Sequence, residues 1–241
     1  MKSSKNKKKI IALIPARRGS ERIKNKNIKK LNGRPLISYS IKLAQDAKIF
    51  DKIYVLTDSK IYSKIAKSYG ADVPFLRKKK NSLSTSPDYL WLKEVNEYLN
   101  KKKISFDYFF ILRPTNPFRK ISSLKKAFKK LVLSDADSLR SVETATKHPY
   151  KMWVLKKNYL KPFLKLPNFF GQPAYNNQTK IFNKVYVQNA ALEISKFSVI
   201  KKYKTITGKK IIPYKLSPIE SFDINNEIDF EIAEYLSKKK F

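Results

Sequence analysis

Ile10-Ile11-Ala12-Leu13-Ile14-Pro15-Ala16-Arg17-Arg18-Gly19-Ser20-Glu21-Arg22 is the stretch that decides the fold. Its first five residues form a short apolar run rich in β-branched side chains, the pattern of a strand buried on both faces of a parallel sheet. Pro15 closes the run. A loop with one glycine and three arginines follows, then Lys24, Lys26 and Asn27, then Leu31-Asn32-Gly33-Arg34-Pro35-Leu36. A buried strand feeding a basic, glycine-containing loop is how α/β proteins present backbone N–H groups and cations to phosphates. Ligands in such folds sit beyond the carboxyl ends of the strands. The same spacing fits an ordinary strand-to-helix turn with solvated arginines. Neither the Walker A pattern nor the GxGxxG pattern is present.

A chain of 241 residues, 42% of them hydrophobic, can bury one α/β core over residues 10–241. No apolar run is long enough to span a bilayer. Residues 1–9 read as a disordered basic tail. The apolar run after them is too short for a signal-peptide core, so a cytoplasmic location is expected. The absence of cysteine excludes disulfides and thiolate metal sites. The net charge of +34 invites a nucleic-acid reading. However, the lysines are dispersed, and no zinc finger or RNP aromatic motif accompanies them. Non-specific adhesion at low salt is expected, and specific nucleic-acid or membrane partners are not.

Outward from the first stretch, residues 53–56 read as a second buried strand ending in Thr57-Asp58-Ser59. Ser59 is placed to cap a helix over 61–69, and Gly70 to stop it. The βα alternation predicts a mostly parallel sheet. Residues 73–77 read as a short edge segment. A helix starts at Pro87, with Trp91, Val95 and Leu99 on its core face. Residues 106–112 read as a third buried strand, ending in Arg113-Pro114-Thr115-Asn116-Pro117-Phe118-Arg119, where a ligand would sit. A helix over 121–133 and a strand over 136–142 follow. The single histidine, His148, reads as a structural loop residue. Residues 150–185 are turn-rich and aromatic, a β-excursion from the core. Residues 185–194 and 211–214 return to strand character, and a helix runs to Leu236. On an extended chain Asp223 and Asn225 face one side while Ile224 faces the core. They form a workable oxygen pair for a hard cation. Asn225 or Asn226 also fits as a helix N-cap.

Residues 14–28, Ile14-Pro-Ala-Arg-Arg-Gly-Ser-Glu-Arg-Ile-Lys-Asn-Lys-Asn-Ile28, resemble the signature loop of the acylneuraminate cytidylyltransferases, the CMP-sialic acid synthetase family. The likeness continues in order through Val55-Leu-Thr-Asp58, Leu76-Arg77, Leu83-Ser-Thr-Ser-Pro-Asp88, Leu112-Arg-Pro-Thr-Asn-Pro-Phe-Arg119, Ser141-Val142 with His148-Pro149, Asn189-Ala-Ala, and Ser221-Phe-Asp-Ile-Asn225. The resemblance implies a three-layer α/β/α, Rossmann-like nucleotidyltransferase fold. It also implies a reaction in which CTP and a nonulosonic acid give a CMP-sugar and pyrophosphate, with Mg²⁺ as cofactor. The competing readings are another sugar nucleotidylyltransferase of the same fold, a basic nucleic-acid-binding protein, and a degenerate homologue suggested by Glu21 and Asn225. The resemblance places Arg17, Gly19, Ser20, Arg22, Lys26, Asn27, Arg77 and Ser86 on the nucleotide, and Arg113, Thr115, Arg119 and Asn189 on the sugar. Arg113 or Arg119 is the candidate two-pronged partner of the sugar carboxylate. Asp223 and Asn225 fall on the metal pair, and Arg17, Lys26 and Asp223 carry the catalytic role. Residues 150–185 resemble the family's dimerisation arm, so a homodimer is expected. The departures are Glu21 where many members have Lys, Asn225 where the second metal-binding Asp falls, Asn189-Ala190-Ala191 where the family has Asn-Gly-Ala, and a shortened loop around Ser86; Arg113 stands where Gln is frequent.

Overall fold

In the computed structural model, which describes residues 7–239, the opening apolar run is strand β1 (Ile10–Pro15), inside a six-stranded sheet. It pairs in parallel with β2 (Lys52–Leu56) on one side and β3 (Tyr108–Ile111) on the other. Then come β4 (Ser138–Thr144), an outlying hairpin of β5 (Trp153–Lys156) and β6 (Tyr159–Pro162), β7 (Tyr186–Lys196) and β8 (Ile211–Lys215). The sheet order is β8-β4-β7-β3-β1-β2. Within this sheet β7 alone runs antiparallel to its neighbours. The chain leaves β1 toward β2 and returns on its other side as β3. The carboxyl ends of β1 and β3 therefore flank the switch point, where an open α/β sheet has its crevice.

Both faces of the sheet are covered, which is why β1 is apolar throughout instead of alternating. Ile10, Ala12 and Ile14 pack toward α1 (Leu36–Ala47), α2 (Lys60–Ser68) and, later in the chain, a helix over Ile121–Val132. Ile11 and Leu13 pack on the other side against α3 (Asp88–Lys101), with Trp91, Leu92, Val95 and Leu99. The Ile121–Val132 helix is α4, and a short α5 (Ser198–Tyr203) adds Ile200 to the α3 layer. Each fully buried aliphatic side chain of β1 contributes about 1.5–3 kcal/mol. The last helix, α6 (Glu227–Ser237), closes over the basic loop, packing Phe230 and Ala233 with Ile23, Leu31, Leu36 and Ile224.

Local signals act largely as the sequence predicts. Ser59 Oγ accepts the Tyr62 N–H at 3.3 Å as the α2 cap. Gly70 follows α2 at φ +82°, a left-handed conformation that favours glycine. Asn226, not Asn225, caps α6, in a reciprocal capping box with Asp229. His148 is buried, accepting the Tyr150 N–H at Nδ1 and facing the Asn183 carbonyl with Nε2, each at 3.2 Å. Two expectations differ. Residues 73–77 make no strand, only single bridges, Tyr54 with Asp72 and Thr57 with Leu76. Pro74 has no N–H to extend a ladder between them. Pro87 is the N-cap residue of α3, outside its first turn. Of the expected 1–9 tail, residues 1–6 lie outside the described residues. Lys9 is tied to Asp107, its N–H donating to the carboxylate at 2.8 Å.

Candidate active site

Three loops at the carboxyl ends of β1, β2 and β3 enclose a cleft of roughly 490 Å³. The loop after β1 lines it with Arg17, Ser20, Arg22, Lys26 and Asn27. Arg77 and Ser86 come from the connection between β2 and α3, and Arg113 and Thr115 from the loop after β3. Gly19 lies on the adjoining rim with Ser20 and Asp58. Asp223, Asn225 and Asn189 line a neighbouring recess of roughly 440 Å³. Apart from Gly19 on the rim and Arg119, treated below, the sequence-predicted residues gather in two adjacent hollows.

The basic loop is held from several sides. Asp58 Oδ1 accepts the Arg18 N–H at 2.8 Å, and Asn27 Nδ2 donates to the Arg17 carbonyl at 2.9 Å. Asn25 turns the chain at φ +55°, and its Oδ1 accepts the Tyr62 hydroxyl at 3.2 Å. Burial pushes the Tyr62 pKa up to about 12, so it stays a donor. Lys26 Nζ donates to the Ile224 carbonyl at 2.7 Å, joining the loop to the Asp223 segment. Burial draws the Lys26 pKa down, Asp223 opposes this, and Arg22 and Arg17 add to it. Among the described residues, Arg17, Arg22 and Lys26 form no ion pair with a protein carboxylate. Their charge is left to a ligand.

The Asp223 segment has the alternation the sequence predicts. Ile224 is fully buried, and its N–H donates to the Thr115 carbonyl at 2.9 Å. Asn116 Nδ2 donates to the Phe222 carbonyl at 3.1 Å. These bonds fix the segment against the loop after β3. Asp223 and Asn225 share a side, the Asn225 amide donating to Asp223 Oδ2 at 3.0 Å. Asp223 Oδ1 is buried with no hydrogen-bond partner among the described residues. A buried carboxylate oxygen without a donor suits a cation. The Asn225 amide nitrogen is spent on Asp223, which leaves its carbonyl oxygen as the end open to a metal. No group of three or more His, Cys, Asp or Glu side chains placed to hold a metal occurs among the described residues. Asp223 and Asn225 alone would not complete the oxygen shell of a hard cation.

Arg119 does not join the cleft, which corrects the expectation that it binds sugar. It is 6% exposed, and its Nη atoms donate to the Ala191 carbonyl (2.9 Å), Ser40 Oγ (2.6 Å) and the Arg113 carbonyl (2.9 Å). It ties α1, the loop after β3 and β7 together behind the site. Burial pulls its pKa down to about 9, against the opposing charge of Asp223, so it remains charged at neutral pH. Asn189 sits at a bulge in β7, where the register with β4 shifts. Its Oδ1 accepts Ser141 Oγ at 2.6 Å, and its Nδ2 is buried without a partner. Ala190 beside it is held at φ +52°.

Sequence reasoning missed two carboxylates. Asp88 opens α3 and lines the cleft, and Glu193 lies buried on β7. Both pair with Arg113. Asp88 was visible as the end of the Leu83–Asp88 motif. Glu193 stands in an apolar strand, and a buried charge in such a run signals a partner. Trp91, expected in the core, is buried there and also donates its indole N–H to Asp88 Oδ1 at 2.8 Å on the cleft wall.

The cytidylyltransferase family profile matches residues 11–240. The chain is 30% identical over 235 residues to the post-translational flagellin modification protein B of Campylobacter coli, covering 96% of both chains. It is 31% identical over 233 residues to the CMP-N,N'-diacetyllegionaminic acid synthase of Legionella pneumophila, covering 95% of this chain and 96% of that one. Among solved structures it is similar to a CMP:2-keto-3-deoxy-manno-octonic acid synthetase complexed with CTP. The TM-score is 0.68 at 13% identity, over 95% of this chain and 98% of that one. At that identity the likeness speaks for the α/β fold alone.

Proposed function

The chain belongs to the cytidylyltransferase family, and from that premise we propose that it activates a nonulosonic acid with CTP, giving the CMP-sugar and pyrophosphate. The observation that carries the reading is the meeting of the unpaired cations Arg17, Arg22 and Lys26 with Arg77, Ser86, Arg113 and Thr115 in one cleft at the sheet's switch point. The named activity of the Legionella relative supplies the substrate class.

In this reading the anomeric hydroxyl oxygen bonds to the α-phosphorus of CTP. The bond from that phosphorus to the bridging oxygen breaks, pyrophosphate leaves, and the hydroxyl proton is lost. Transfer of this kind asks the protein mainly for positioning and charge neutralisation. Arg17, Arg22 and Lys26 face the triphosphate, and Gly19, Ser20 and Asn27 shape the loop around it. Arg77 and Ser86 hold the cytidine. Thr115, Arg113 and Asn189 lie toward the sugar. Asp223 and Asn225 would hold Mg²⁺, which supplies charge neutralisation on the phosphates when bound. Asn225 gives that site one negative charge fewer than a pair of aspartates.

We also propose a homodimer formed through the β5–β6 excursion. Its hairpin and the chain after it expose Leu155 (70%), Tyr159 (74%), Leu160 (62%) and Phe170 (88%), an apolar surface large enough to want a partner. The cytoplasm is the compartment this substrate pair implies. No helix among the described residues is long and apolar enough to cross a membrane.

Nucleotide selectivity tests the reading. Purified protein with Mg²⁺ and a panel of nonulosonic acids should release pyrophosphate from CTP and not from ATP, GTP or UTP. Release from another nucleotide in preference to CTP would overturn it.

A further inference from the structure

The cations of the cleft are of two kinds. Arg17, Arg22 and Lys26 lack a carboxylate partner among the described residues, whereas Arg113 is engaged by two. Its Nε and Nη2 both donate to Glu193 Oε1, at 3.1 and 3.0 Å, and Nη2 also donates to Asp88 Oδ2. Beyond Glu193 the chain of charge continues: Oε2 lies 3.1 Å from Arg140 Nη1. Two acids and two bases alternate as Asp88–Arg113–Glu193–Arg140, so the set is neutral. Glu193 is its innermost member, with a side chain only 4% exposed, on the strand between β3 and β4.

This arrangement limits what Arg113 can offer a ligand. A guanidinium grips a carboxylate with two parallel N–H groups from two nitrogens. The Nε–Nη2 edge is already on Glu193, and the second Nη2 hydrogen is on Asp88. Among the described residues Nη1 alone of its nitrogens makes no hydrogen bond, and it is not among the buried atoms lacking a partner. A substrate carboxylate approaching Nη1 would also enter the field of two fixed carboxylates. A neutral oxygen would meet the same donor nitrogen with far less repulsion.

We propose, on top of the cytidylyltransferase reading above, that Glu193 is a positioning residue that leaves Arg113 one free donor nitrogen, Nη1, for a neutral oxygen of the acceptor sugar, a hydroxyl or an acyl carbonyl, and not a two-nitrogen clamp for its carboxylate. The anionic groups of both substrates are then left to the unpaired cations of the basic loop. Without Glu193, Arg113 swings toward Asp88 and Nη1 loses its aim, while Arg140 loses its counter-charge.

The test is steady-state pyrophosphate release by wild type, Glu193→Gln, and the double variant Arg113→Gln with Glu193→Gln. All three are checked for folding by circular dichroism and thermal melting. Glu193→Gln keeps an acceptor but removes the charge that fixes Arg113. It should raise the KM for the acid about tenfold, the worth of one well-made hydrogen bond, with a much smaller change in the KM for CTP. The double variant presents a neutral donor beside a neutral partner. It should recover most of the lost KM for the acid, because a neutral oxygen needs a donor and not a charge. If Arg113 instead clamps the carboxylate, the double variant will be worse than the single one, and that result overturns the inference. An unmoved KM for the acid in Glu193→Gln, or a shift confined to CTP, overturns it as well. If wild type itself releases no pyrophosphate with any acid, the functional reading fails and takes the inference with it. Turnover by wild type separates the two failures.

Discussion

Replacing Lys26 by Met probes the joint between the basic loop and the Asp223 segment. Lys26 Nζ is half-buried and donates to the Ile224 carbonyl at 2.7 Å. A hydrogen bond from a charged donor is worth about 1.5–3 kcal/mol. Methionine fills similar space and relieves the burial of a charge, so the net loss of stability should be about 1–2 kcal/mol. For a chain of this size that is a fall in Tm of roughly 2–8 °C. The effect on ligand binding should be larger. If Nζ turns to the triphosphate, the lost charge-assisted contact weakens CTP binding by about 10- to 150-fold.

The pH dependence supplies an internal control. Burial holds the Lys26 pKa below 10.5, with Asp223 opposing and Arg22 and Arg17 adding to the depression. A base whose folded pKa is depressed makes the free protein more stable as pH rises between that pKa and 10.5. A bound triphosphate favours the charged form, so in that window CTP binding should take up a proton and weaken as pH rises. Calorimetric titration in buffers of different ionisation enthalpy reads both effects, and Lys26→Met should abolish the proton uptake. A variant with a lower Tm but unchanged CTP affinity would show Lys26 to be a strut only, and would refute the reasoning.

Asn226→Ala removes the α6 capping box and should cost about 1 kcal/mol, read as a shift in denaturation midpoint at unchanged slope. Ala190→Gly should stabilise the protein by up to ~1 kcal/mol, because Ala190 is held at φ +52°, where a Cβ is strained; a loss of stability would mean the Ala190 methyl packs usefully. Asp223→Ala should remove the response of turnover to added Mg²⁺, and a chelator should silence wild type reversibly. Turnover that ignores both would contradict a cation beside the buried Asp223 Oδ1.

Much of this architecture is legible in short stretches because it rests on local physics. The unbroken apolar run 10–14 announces a strand covered on both faces, and the Ser59 cap and Gly70 stop bracket α2 within two residues of its ends. The alternation Asp223-Ile224-Asn225 places its polar pair on one side, as found. What stayed hidden depends on partners far away in the chain. The direction of β7 is not encoded in its periodicity, since parallel and antiparallel strands share the same repeat of two. Arg113 and Arg119 bracket the two turns of one loop, and nothing local separates them. The first is spent on Ala191 and Ser40, 72 and 79 residues away, and the second on Glu193, 80 residues away. The bulge that sets Asn189 beside Asp223 rests on a left-handed Ala190, which alanine does not advertise.

The most direct test of the account is ³¹P NMR of a reaction containing the protein, CTP, Mg²⁺ and a nonulosonic acid. A phosphodiester signal of a CMP-sugar and a pyrophosphate signal should grow together in equal amounts, only when CTP and the acid are both present. Free CMP in place of the phosphodiester, or pyrophosphate formed without the acid, would contradict it.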